Sequence, residues 1–107
     1  MTTFDKREEA FEAMFVHDEE LRFRAIARRN KLLGQWAASL MDLQGADASA
    51  YAGTLIAPDF LSSKDDGLIL KVVADLKAKG IERSAEAVAE KSTDLLAKAA
   101  AQIKAEG

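Results

Sequence analysis

Residues 62–84 read Ser62-Ser63-Lys64-Asp65-Asp66-Gly67-Leu68-Ile69-Leu70-Lys71-Val72-Val73-Ala74-Asp75-Leu76-Lys77-Ala78-Lys79-Gly80-Ile81-Glu82-Arg83-Ser84. They contain the start, body and stop of one helix and the start of the next. Ser62 and Ser63 stand three residues before Asp65 and Asp66, two overlapping patterns of the capping-box kind. Ile69, Val72, Val73 and Leu76 recur at helical spacing. Lys77, Lys79 and then Gly80 form a basic last turn followed by a residue that tolerates the left-handed stop. Ser84 then caps a further helix that runs almost to the end of the chain.

The same punctuation divides the rest. Thr2 or Thr3 can cap a first helix, with Asp5, Glu8 and Glu9 near the positive end of its dipole. Gln44-Gly45-Ala46-Asp47 is the next strong break, and Asp47 is the expected N-cap of a second helix. Pro58 ends or bends that helix, since it has no N–H for the ladder. The apolar stripes are Leu33, Trp36, Ala37, Leu40 and Met41; then Ala48, Tyr51, Ala52, Leu55 and Ile56; and finally Val88, Leu95, Leu96, Ala99 and Ile103. Alanine, the best helix former, supplies 21 of 107 residues, and no stretch alternates with period two. Short connections make sequential helices antiparallel neighbours. The expected fold is all-α: a small four-helix bundle over 19–107, with a mobile N-terminal helical arm over 1–18.

Composition narrows the function. With 15 basic and 18 acidic residues the net charge is −3, which disfavours a nucleic-acid binder. Without cysteine and with one histidine, there is neither a disulfide framework nor a metal or catalytic cluster of the usual kinds. No carboxylates or lysines form a catalytic constellation, so no enzyme, no metal site and no required cofactor are expected. Gly34, Gly45 and Gly53 are isolated, and neither phosphate-binding glycine pattern is present. The opening Met1-Thr2-Thr3-Phe4-Asp5 lacks a signal-peptide layout, and no apolar run approaches the ~18 residues of a membrane span. A soluble, cytoplasmic chain without membrane insertion is expected.

Charge is distributed unevenly. Residues 1–20 hold seven acids and two bases, whereas residues 21–31 hold five bases and no acid. The first 31 residues also contain four of the five phenylalanines: Phe4, Phe11, Phe15 and Phe23. Asp18–Arg22 and Glu20–Arg24 have the favourable i,i+4 orientation and argue for helix near residue 20. Phe4, Phe11 and Phe15 fall on one narrow helical stripe surrounded by charge, which suits docking in a partner's groove better than nucleating a core. Residues 1–18 are surplus to the bundle, and such a segment is marginal as an isolated helix. It is expected to be flexible when free and helical when bound.

The run Phe4-Asp5-Lys6-Arg7-Glu8-Glu9-Ala10-Phe11-Glu12, followed by His17-Asp18-Glu19-Glu20-Leu21-Arg22-Phe23-Arg24, resembles the bacterial ATP synthase zeta subunit family. Ala27-Arg28-Arg29-Asn30-Lys31-Leu32-Leu33-Gly34-Gln35-Trp36-Ala37-Ala38 is similar to the same family's second signature. The close match spans about residues 3–38. Length, helix layout and Ala101-Gln102-Ile103-Lys104-Ala105 extend it. Met14 and Val16 depart from the pattern, where lysine and alanine are usual. The resemblance implies a non-enzymatic inhibitor of F-type ATP synthase. Its N-terminal helix would wedge into an α/β catalytic interface, with the γ subunit as a further contact, and block ATP hydrolysis. The chain would then lie on the cytoplasmic side, peripheral to the inner membrane through the synthase. The resemblance also implies regulatory binding of ADP or ATP to the bundle.

On this reading Phe4, Phe11 and Phe15 are anchors, while Asp5, Lys6, Arg7, Glu8, Glu9 and Glu12 set register against a charged rim. His17, between the acidic and basic blocks, is a candidate pH-sensitive hinge, and a solvated residue otherwise. Arg22, Arg28, Arg29 and Lys31 are candidate phosphate contacts with Trp36 as a stacking partner. A solvated basic face and a core tryptophan are the alternatives. The competing functions are a nucleotide-sensing bundle and an adaptor acting on another partner.

Overall fold

The computed structural model describes residues 18–61 and 65–106. The expected cap at Thr2 or Thr3, the arm up to His17, and the capping serines Ser62 and Ser63 lie outside these. Five helices follow one another: α1 Glu19–Leu40, α2 Gly45–Thr54, α3 Pro58–Leu61, α4 Asp66–Ala78 and α5 Ala85–Glu106. The described residues are 83% helical and contain no strand, so the fold is all-α.

Each boundary has a local cause. Asp18 is extended and its carboxylate accepts a hydrogen bond from the Leu21 N–H at 3.0 Å, which caps α1. At the other end Asp42 takes φ +60, where glycine is usual, and the Leu43 N–H reaches back to the Ala38 carbonyl at 2.9 Å. The cap of α2 differs from expectation. Gly45 at φ +55 turns the chain immediately after Gln44, so Gln44 is the N-cap and Asp47 lies in the first turn. α2 stops at Thr54, and Pro58 opens the single turn of α3, where a missing N–H costs nothing. Gly80 at φ +78 ends α4, with the Ile81 N–H donating to the Leu76 carbonyl at 2.9 Å. Ser84 Oγ accepts from the Ala87 N–H at 3.0 Å and starts α5 as expected.

α1 is the hub and touches all four other helices; α4 and α5 also pack on each other. α1 and α5 run antiparallel, since Arg28 meets Gln102 and Glu106 while Trp36 lies near Lys91. The predicted stripes supply most of the buried apolar residues, although Ala48, Ile56 and Val73 are only partly buried and the core residues Ala25, Ile26 and Leu68 lie outside the stripes. Leu33, Ala37, Leu55, Leu68, Ile69, Val72, Leu76, Val88 and Leu95 form the larger apolar cluster, and Trp36, Leu40, Met41 and Tyr51 cover its margin. Ala25, Ile26, Leu96, Ala100 and Ile103 form a second.

Gly34 explains how α2 comes so close to α1. A Cβ at this position would lie 2.6 Å from Ala52 Cα and 2.9 Å from Ala52 Cβ. Backbone cannot yield as a flexible side chain does. Alanine is the better helix former by about 1 kcal/mol, but the overpacking cost of about 1–3 kcal/mol opposes it. The 2.6 Å contact with main chain puts this site at the costly end. Gly34→Ala is expected to lower thermal stability, and Gly34→Val to lower it further, by about 4–8 °C per kcal/mol in a calorimetric melt.

Candidate functional site

The basic block of the sequence lies on α1, and the fold divides it between two faces. Arg29 points inward and is 1% exposed. Its Nε donates to Asn30 Oδ1 at 2.6 Å, one terminal nitrogen donates to Ser92 Oγ at 2.8 Å, and the other pairs with Asp65 at 2.9 Å. Asn30 is fully buried and its amide donates to the Leu55 carbonyl at 2.9 Å and the Phe60 carbonyl at 3.0 Å. Along α1 this polar pair falls between the two apolar clusters. It ties α1 to the backbone around α3, to the start of α4 and to the middle of α5.

Arg28 points outward. Its guanidinium grips Glu106 at 2.7 and 2.9 Å and donates to Gln102 at 3.0 Å. The contact raises the Arg28 pKa and holds the Glu106 carboxyl below its usual range, chiefly through the hydrogen bond. Arg28 and Lys31 join Phe23, Arg24, Ala27, Ile56 and Ile103 around an open groove of about 280 Å³. Phe23 is 53% exposed on this side, a large apolar surface bordered by cations.

The four candidate phosphate contacts are therefore not one cluster. Arg28 and Lys31 share the groove, Arg29 is committed to the interior, and Arg22 is half-buried. Trp36 packs on the larger apolar cluster, with Lys91 Nζ 5.9 Å from its ring centre. The arm residues Phe4, Asp5, Lys6, Arg7, Glu8, Glu9, Phe11, Glu12 and Phe15, and the hinge His17, lie outside the described residues. Among the described residues no group of His, Asp and Glu could hold a metal, and no helix is long and apolar enough to cross a membrane.

Sequence reasoning passed over Asn30, Asp65 and Ser92 as partners of Arg29. A signal was present. Arg29 stands three residues after Ile26 and four before Leu33, on an apolar stripe where a charge needs a partner. A second polar link, between α2 and α4, was also passed over. Tyr51 Oη donates to Asp75 at 2.8 Å, and Lys71 pairs with the same carboxylate at 2.8 Å. Burial first, and Asp75 second, push the Tyr51 hydroxyl far above its ordinary pKa.

These features describe a small helical protein with a buried polar tie and a charged outer face. The family described as ATPase inhibitor subunit zeta matches residues 1–102, and the chain belongs to that family. No curated protein matches it. Membership supports a role as an ATP synthase inhibitor and fits a non-catalytic protein. The match includes the N-terminal segment that precedes α1.

Two outcomes test the described site. Asp65→Ala would leave the Arg29 charge buried without this carboxylate and is expected to cost about 3 kcal/mol in urea unfolding. Combining it with Arg29→Met should recover part of that loss. For the outer pair, the lowered Glu106 pKa means its contribution is present above the usual carboxylate range and lost as pH falls through the lowered value. Glu106→Gln is therefore expected to be less stable than wild type at pH 7. The two unfolding midpoints should converge as the pH falls through and below the lowered Glu106 value.

Proposed function

We propose that the chain inhibits ATP hydrolysis by F-type ATP synthase by inserting residues 4–15 as a helix into a catalytic α/β interface. The helices from Glu19 onward anchor this arm. The observation that carries the reading is the pairing of family membership across residues 1–102 with the make-up of the first 17 residues. Three phenylalanines at spacings of seven and four lie among four acids and two bases in a segment that precedes the helical core. A wedge needs apolar anchors for a cleft and charges for its rim, and this segment contains both.

Phe4, Phe11 and Phe15 are the anchors, and Asp5, Lys6, Arg7, Glu8, Glu9 and Glu12 set the register. The γ subunit is a further contact, which would place the chain beside the inner membrane by way of the synthase. His17 is the hinge, and its charge state tunes release of the arm near neutral pH. Adenine nucleotide acts as a regulatory ligand of the helical core. Of the five basic and aromatic residues expected to hold it, Arg28 and Lys31 are the two that share a groove.

ATP hydrolysis by the purified catalytic head, measured with the full chain and with residues 19–107, tests the arm. Only the full chain should inhibit. Equal inhibition by both would move the contact to the helical core. Phe11→Ala in the full chain should weaken inhibition by about 1–2 kcal/mol, a rise of roughly 5- to 30-fold in the half-inhibitory concentration.

A further inference from the structure

The groove on α1 is lined by two kinds of side chain. Phe23, Ala27, Ile56 and Ile103 make it apolar, and Arg24, Arg28 and Lys31 make it basic. Glu106 neutralises Arg28. Arg24 and Lys31 are exposed and enter no salt bridge among the described residues. The rim therefore keeps a positive charge on a chain whose net charge is −3. A single exposed apolar residue calls for no partner, but exposed Phe23 stands in a groove with three other apolar residues and a cationic rim. Aromatic rings and arginines are also the side chains that most often carry binding energy.

Shape and charge together select the occupant. From Phe23 to Lys31 the groove follows α1 for about 12 Å, a little over two helical turns. A helix laid along it can set apolar side chains on Phe23 and Ala27 while acids on its flank meet Arg24 and Lys31. An irregular acidic tail would pair the cations and leave Phe23 wet. A purely apolar helix would cover Phe23 and bury cations without partners, which is costly. The occupant that matches both is an acidic amphipathic helix.

The groove also lies close to the arm along the chain. Phe15, the last anchor, precedes Asp18 by three residues, a reach of about 10 Å at most. Asp18 caps α1, and Phe23 to Lys31 follow at about 8 to 20 Å along its axis. An arm inserted in a catalytic cleft therefore holds this stretch of α1 at the mouth of that cleft. The other helices cover the inward face of α1, and the outward face is the one left to meet the head.

We propose that Phe23, Arg24 and Lys31 form a second docking surface, which receives an acidic amphipathic helix of the synthase head beside the cleft entered by the arm. Its place on the synthase rests on the arm reading. The surface steers and holds the chain, whereas the arm blocks hydrolysis.

The chain has no cysteine, so Gln35→Cys, exposed one turn beyond Lys31, can carry a single photo-reactive benzophenone and leave the groove intact. Irradiated with the purified head during ATP hydrolysis, the labelled full chain should cross-link to an acidic helical segment of the head, identified by mass spectrometry. Arg24→Glu combined with Lys31→Glu, which keeps Arg28–Glu106, should reduce the yield at least about fivefold and raise the half-inhibitory concentration by a similar factor. Phe23→Ser should do the same, with a thermal melt to check that both variants fold. About 0.5 M salt should bring wild type towards the charge-reversed chain and preserve the effect of Phe23→Ser.

Unchanged cross-linking and inhibition in both variants would overturn the proposal. So would a cross-link to a basic segment of the head or to a second copy of this chain. Loss of nucleotide binding in these variants with docking unchanged would make the groove a nucleotide site alone, and the proposal would fail. Phe11→Ala separates the two readings. If it leaves inhibition intact while the groove variants weaken it, the arm reading fails and the docking surface stands. If Phe11→Ala alone weakens inhibition, the arm stands and the docking surface fails.

Discussion

The structure depends on a cation that has been taken out of water. Removing a guanidinium from solvent is costly unless its donors are matched, and Arg29 is 1% exposed. Asp65, Ser92 and Asn30 supply the match, and each sits on or beside a different part of the fold. Hydrophobic burial alone would allow helices to slide along one another, because apolar contact has little directional preference. Hydrogen bonds do not allow this. Arg29 sets the height of α5 through Ser92 and the start of α4 through Asp65. Asn30 holds the chain between α2 and α4 by two carbonyls.

This arrangement also accounts for how α1 uses its two faces. The inward face binds the other four helices, so the outward one keeps Phe23, Arg24 and Lys31 available. α1 is held along its body, because its buried residues run from Ala25 to Ala38, while its first turn contributes none.

Much of this was legible in the sequence. Gly80 as a stop, Ser84 as a cap and the stripes of α4 and α5 were read correctly, because their spacing and chemistry are local. The start of α2 was not. Gly45 makes the turn through its own positive φ, so a side-chain cap at Asp47 was unnecessary. The buried tie was missed for a different reason. Asp65 and Ser92 are 36 and 63 residues from Arg29, and nothing in their neighbourhoods indicates that they meet. The basic block likewise looked continuous in one dimension. A helix sends adjacent residues Arg28 and Arg29 in different directions, one to Glu106 and the other to the interior.

The approach of α2 to α1 has a consequence for how this chain can diverge. Gly34 and Ala52 occupy one shared volume, already filled by the smaller side chain at one position and nearly none at the other. Two such positions drift together or not at all. A larger residue at 34 becomes admissible only after position 52 has given up its methyl group and the helices have moved apart. The combined size at these sites, rather than either residue alone, is what selection on the fold would hold constant.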